Sequence, residues 1–276
     1  MRLAVATSTP EVTATLPLAL LSGDFEQRLK KAASLGYDGV ELLAARPRDL
    51  DLDAIRQSVA AAGLEIAAVA SGAVYMMDRL TLLAADQEVM QHAAVRLHDL
   101  IDMAAQVGAP LVTVGGFRGR LAWAGGPEAR GILIRALSEA AEHAARQGIR
   151  LVLEPLNRYE TDILQNTEQT LAFLEKVGCS SIGLLLDTFH VNIEEPSLTD
   201  CFCQAARAGR LWHVHIGDSN RLAPGWGHLD FSRTVTTLRE IGYRGYLSAE
   251  LLPQPDPDAA AAQTIRHMRK WLPAHE

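Results

Sequence analysis

Three carboxylates and one imidazole stand where short apolar runs of this sequence stop. The run RLVLEP reaches Glu154, GLLLD reaches Asp187, YLSAE reaches Glu250, and LWHVHIGDSNR carries His215. An ionised acid behind apolar residues is costly unless it is paired or metal-bound, and three acids brought together repel one another. A divalent cation would answer both costs. The oxygen-rich set suits Mn²⁺ best, with Mg²⁺, Co²⁺ and Zn²⁺ as further candidates. Taken singly, each residue has an ordinary reading: Asp187 as a helix cap, His215 as a hydrogen-bonded core residue, either glutamate as a surface group. Four of them ending four successive runs argue for one shared site.

The two histidines of LWHVHIGDSNR need separating. Strand alternation puts His213 and His215 on one face, and Trp212 and Val214 on the other, where they are expected to meet flanking helices. Strand rise sets the imidazoles roughly 6–7 Å apart, so one metal cannot readily take both. His215, nearer the end of the run, is expected to be the ligand. His213 is expected to lie one layer deeper as a hydrogen-bonded support.

The elements that must position these residues form a repeat. An Ala/Leu-rich amphipathic stretch, a glycine and a short apolar run recur with Gly36, Gly63, Gly108, Gly148, Gly178, Gly209 and Gly242. Glycine suits the left-handed position that ends a helix. Each following run is short and apolar, as befits a strand buried on both faces. With RLAVATS at the start there are eight strands, each followed by helical sequence. Strands alternating with helices give a parallel sheet, and eight units close into a (β/α)₈ TIM barrel of the α/β class. No linker-like stretch divides the chain, so residues 1–276 are expected to be a single catalytic domain. An open doubly wound sheet lacks support because no Gly-rich phosphate turn follows an early strand. In a barrel the active site lies at the C-terminal strand ends, where the four residues fall.

Composition narrows the partners. With 26 basic and 33 acidic residues the net charge is −7, which leaves no basic footprint for nucleic acid. No apolar stretch is long enough to span a membrane. Cys179, Cys201 and Cys203 form no disulfide frame and read as reduced thiols of a cytoplasmic protein. The expected partner is a small molecule, and a homo-oligomer is compatible with the apolar helix faces.

The stretches beyond the strand ends are polar. EPLNRYETD carries Asn157, Arg158 and Glu160; DTFHVNIEE carries His190 and Asn192; HIGDSNRLAPGWGHLDF carries Asp218, Asn220 and Arg221. Around a metal, they would suit sugar hydroxyls.

At these motifs, and at SAELL, the chain resembles the sugar isomerase/epimerase superfamily of xylose-isomerase-like barrels, and within it the ketose 3-epimerases. The first half agrees mainly in barrel pattern, in GYDGVEL and in a loop GAVY. The resemblance implies that Glu154, Asp187, His215 and Glu250 hold the metal and that Glu154 and Glu250 are the acid/base pair. It also implies that Glu160, His190 and Arg221 bind substrate. VTVGGFRGR, after the fourth strand, is more similar to the branch acting on keto-sugar acids, the 5-keto-L-gluconate epimerases. Arg118 and Arg120 there are expected to face a substrate carboxylate, which a guanidinium pairs well. The favoured activity is thus a metal-dependent epimerase of a 5-keto-L-gluconate or D-tagaturonate type substrate. A neutral ketohexose 3-epimerase, an aldose–ketose isomerase such as hydroxypyruvate isomerase, and an inosose-type dehydratase share the same site chemistry. A metal-dependent endonuclease would want a basic rim, and a sugar-binding module would not need two opposed glutamates.

Overall fold

The eight apolar runs are eight parallel strands. In the computed structural model, which describes residues 1–272, they are β1 (Arg2–Ser8), β2 (Gly39–Leu43), β3 (Glu65–Ala70), β4 (Leu111–Val114), β5 (Arg150–Leu153), β6 (Ile182–Asp187), β7 (Leu211–Ile216) and β8 (Tyr246–Ala249). Each pairs with its chain neighbours, and β8 returns to β1 to close the barrel. Helices return the chain between strands, as parallel pairing requires. The first, Phe25–Leu35, shows how locally they are specified. Asp24 and Gln27 form a reciprocal capping box, Phe25, Leu29 and Ala32 make its buried stripe, and Gly36 ends it at φ 89°. All seven repeat glycines have positive φ. GAVY opens a short helix, Gly72–Asp78, rather than lying in a loop.

Strand register says which side chains share the barrel interior, because directly paired residues project to the same face. Ala6 and Ala68 both pair with Glu41, and Ala4 pairs with Gly39. Opposite them, Leu185 pairs with His213 and Asp187 with His215. Small residues on β1–β3 therefore leave interior room for the polar groups that β2 and β7 send inward.

Trp212 departs from simple alternation. The β6–β7 register shifts between Leu184 and Leu185, so that Leu184 pairs with Leu211 while Leu185 pairs with His213. The shift at Trp212 turns its indole toward Ala68, Leu111, Val152 and Leu185 rather than toward the helices. A Cβ on Gly183 would come within 2.5 Å of the ring, so that position has no room for a side chain. Arg150 and Arg210 lie over the same indole at 5.0 and 6.0 Å. Trp212 and Tyr246 thus pack into the barrel toward the end opposite the strand C-termini.

Candidate active site

β5 stops at Leu153, and Glu154 follows it; β6 ends on Asp187; His215 is the penultimate residue of β7; Glu250 follows β8. Nδ1 of His215 and one oxygen from each of the three carboxylates lie within 4.8 Å of one another. All four residues are buried, Asp187 fully. His215 Nδ1 is 3.2 Å from Glu250 Oε2 and 3.5 Å from Glu154 Oε1.

Several of these atoms lack partners. Glu154 Oε1, Asp187 Oδ2 and His215 Nδ1 are buried without a hydrogen bond. Asp187 divides its two oxygens: Oδ1 accepts from the Phe189 backbone N–H at 2.9 Å and caps the helix Thr188–Glu194, while Oδ2 points into the cluster. The helix-cap reading of Asp187 and the site reading both apply, to different atoms. Buried unpartnered atoms from three strand ends, with the Glu250 carboxylate at a fourth, fit a divalent cation, which would be held by Glu154, Asp187, His215 and Glu250.

The electrostatics agree. Burial raises the Glu154 carboxyl above its usual range, with Glu250 adding to the rise. Burial, reinforced by Glu154, pushes Asp187 up to about 7. Burial opposes protonation of His215, but the facing Glu41 and Glu250 outweigh it and hold the imidazole well above its ordinary value. Glu154, Asp187 and His215 are thus all shifted toward their protonated forms, and a cation would displace those protons.

Glu41 is the functional residue that sequence reasoning passed over. It lies in the middle of β2, fully buried, and faces β7 across the barrel. His213 Nε2 lies 2.9 Å from Glu41 Oε2, and His215 Nε2 lies 3.1 Å from both of its oxygens. Burial favours its neutral form, yet His215 and His213 hold it well below the usual carboxylate range. Its contact with Nε2 orients His215 so that Nδ1 faces the carboxylates, as outer partners of metal-bound histidines do. A charge inside the apolar run GVELL was the available signal; its partners, some 170 residues away, were not.

The three other groups expected to touch substrate are gathered beside the cluster. Arg221 Nη1 donates to Glu160 Oε1 at 2.9 Å, and its guanidinium lies 4.9 Å above the Phe189 ring. Arg221 has φ 61°, a strained conformation for a non-glycine residue. Asp218 builds the loop that imposes it: its carboxylate accepts from the backbone of Ser219, Gly225 and Leu229, and its carbonyl accepts from Arg221 N–H. His190 is buried, and burial together with Arg221 and Arg118 keeps its pKa well below the ordinary value. Its Nε2 lies 3.8 Å from Asp187 Oδ2 and 3.9 Å from Glu154 Oε1.

Arg118 and Arg120 part company. Arg118 is fully buried and does not face the cavity, so it is not placed to meet a carboxylate. Its Nη1 donates to the carbonyls of Gly115 and Glu154, at 3.0 and 2.7 Å, and its Nη2 to those of Ile163 and Leu164. Burial pulls the guanidinium down to about 10, which still leaves it charged at neutral pH. Arg120 lines the cavity, donates to the Tyr159 carbonyl at 3.1 Å and lies 5.8 Å from the Trp123 ring.

That cavity, about 390 Å³, opens at the C-terminal strand ends. Glu154, Glu160, Arg221 and Glu250 line one side; Leu16, Tyr75, Met76, Phe117 and Trp123 line the other. Gly115 also borders it, where a Cβ would fall 2.5 Å from Glu154 Oε2. Among the described residues no helix is long and apolar enough to cross a membrane.

Comparison with known proteins agrees with this geometry. The model of the xylose isomerase-like TIM barrel family matches residues 29–271. An L-ribulose 3-epimerase of Mesorhizobium japonicum is 30% identical over 231 residues, covering 82% of this chain and 75% of that protein. A 3-dehydro-D-guloside 4-epimerase of Escherichia coli is 36% identical over 132 residues, 47% of each chain. The structure of a Methylomonas D-allulose 3-epimerase bound to D-allulose superposes with a TM-score of 0.78 at 25% identity, over 98% of this chain and 97% of that one.

Proposed function

The chain belongs to the xylose isomerase-like TIM barrel family, and from that premise we propose that it is a divalent-metal-dependent sugar epimerase inverting the carbon beside a ketone. The observation that carries the reading is the pair Glu154 and Glu250, converging from β5 and β8 on His215 Nδ1 with the cavity before them. The similar proteins named above act at carbon 3 of a ketose and at carbon 4 of a 3-dehydro sugar. Both positions adjoin a carbonyl, where a proton is acidic enough to be exchanged.

Held by Glu154, Asp187, His215 and Glu250, the cation would supply Lewis-acid polarisation of the substrate oxygens, and the oxygen-rich set favours Mn²⁺. One glutamate removes the proton next to the ketone, giving an enediolate. The other returns a proton to the opposite face, and the centre is inverted. The roles exchange in the reverse direction. Arg221 and His190 stand where they can hydrogen-bond substrate oxygens, and Glu160 can take a hydroxyl.

A neutral ketose is the better-supported substrate. Of the two arginines that favoured a sugar acid, Arg118 is spent on backbone carbonyls, and Arg120 alone borders the cavity. A keto-sugar acid is the second reading, with Arg120 as the carboxylate partner. The test is a panel of neutral ketoses and keto-hexonates incubated with Mn²⁺ in D₂O, with products identified by NMR. Epimerised ketose labelled at the inverted carbon is expected. An epimer without label would overturn the proton-transfer route; turnover of keto-hexonates alone would replace the neutral substrate.

A further inference from the structure

Arg221, Glu160 and His190 are joined through a fourth residue that need not touch the reacting carbons. Asn157 lies just past β5 and is 1% exposed. Its Oδ1 accepts the Tyr159 backbone N–H at 3.0 Å, which settles which way the amide faces. Both Nδ2 hydrogens then have acceptors, Glu160 Oε1 at 3.0 Å and His190 Nδ1 at 2.8 Å. The backbone N–H of Asn157 also donates to His190 Nδ1, at 3.3 Å. A ring nitrogen that faces two donors must present its lone pair, so neutral His190 carries its proton on Nε2. That Nε2 is buried, has no protein partner, and lies beside Glu154 and Asp187.

We propose that Asn157 is a positioning residue whose backbone and side-chain N–H groups together hold His190 as the Nε2–H tautomer, its amide also tying the ring to the Glu160–Arg221 pair. The consequence for the substrate rests on the epimerase reading. Nε2–H can only donate, so a substrate oxygen set against it must accept, as a ketone oxygen does most strongly while charge grows on it. Asn157 and Arg221 both use Glu160 Oε1, which leaves Oε2 to accept a substrate hydroxyl.

The test is the ¹H–¹⁵N spectrum of the histidine rings in Mg²⁺-loaded protein, with His190 identified by the signals lost in His190→Gln. The unsubstituted protein is expected to show the Nε2–H pattern for His190; an Nδ1–H pattern would overturn the proposal. Asn157→Asp keeps the side-chain shape but turns an acceptor toward Nδ1, so the His190 proton is expected to move there. Ketose kcat/KM should fall at least about 10-fold, mostly in kcat, because the lost donor serves charge that develops in the transition state. Asn157→Leu removes the amide but keeps the backbone donor, so it should retain Nε2–H and lose less kcat than Asn157→Asp. An unmoved tautomer in Asn157→Asp, or equal kcat losses in both variants, would overturn the positioning role. If no ketose is turned over by the unsubstituted protein, the epimerase reading fails, and the spectra still decide the tautomer lock.

Discussion

Arg118 and Arg221 are two arginines from loops at the same end of the barrel, and they do opposite work. Arg118 faces inward under its loop and spends its Nη hydrogens on four backbone carbonyls, one of them that of Glu154. Arg221 faces the cavity, pairs with Glu160 and stacks on Phe189. Both are guanidiniums near a carboxylate cluster, so proximity to the site does not separate them. What separates them is what their donors meet. A guanidinium sunk among carbonyls is a brace for backbone, and one left facing a carboxylate and a cavity is free to meet substrate.

The contrast breaks most visibly at Arg118. Replacing it by Met leaves buried carbonyls without donors, and the expected loss of stability is about 3–5 kcal/mol, read as a lower urea midpoint. Activity should fall with it because the backbone of Glu154 is no longer held. Unchanged stability with lost activity would move Arg118 to the substrate side. Arg221→Gln should behave inversely, with kcat/KM down roughly 100-fold, or about 3 kcal/mol, and an unfolding free energy within about 1 kcal/mol of the parent. Severe destabilisation there would erase the distinction.

Glu41 extends the comparison to the carboxylates, since it braces His215 as Arg118 braces Glu154. In Glu41→Gln, Mn²⁺ affinity measured by calorimetry is expected to weaken about 10–100-fold. Unchanged affinity would reduce Glu41 to a core residue. The smallest effect is in pH. Asp187, raised from 3.8 to about 7 without metal, carries a stability penalty that is absent below 3.8 and complete above about 7. A cation binds the ionised form and removes that penalty. Mn²⁺ should therefore raise Tm more at pH 8 than at pH 6, by roughly 2–4 °C. Equal increments at the two pH values would show that Asp187 is already ionised in the metal-free protein.

How much of this was legible depends on what kind of fact each residue required. The barrel followed from a repeat whose helix stops and apolar runs are local signals. Glu154, Asp187, His215 and Glu250 could be grouped because a closed parallel barrel makes successive strand ends neighbours whatever their side chains. Glu41 could be noticed as a charge in an apolar strand, but not matched to two histidines across the interior. Trp212 defied alternation because one register shift between β6 and β7 re-aimed it. The GGFRGR motif showed two arginines at a rim, and only the short 3₁₀ turn Gly116–Arg118 decides that one folds beneath it.

By itself, then, the sequence determined the eight-unit closure and the convergence of three acids and one imidazole, because periodicity and strand order are written residue by residue. Tertiary structure alone decided which nitrogen of His215 faces the acids, which arginine braces and which meets the cavity, and that Asn157 joins His190 to Glu160. Those outcomes depend on where individual donors and acceptors end up in three dimensions, and hydrogen bonds between distant strands leave no mark on local pattern.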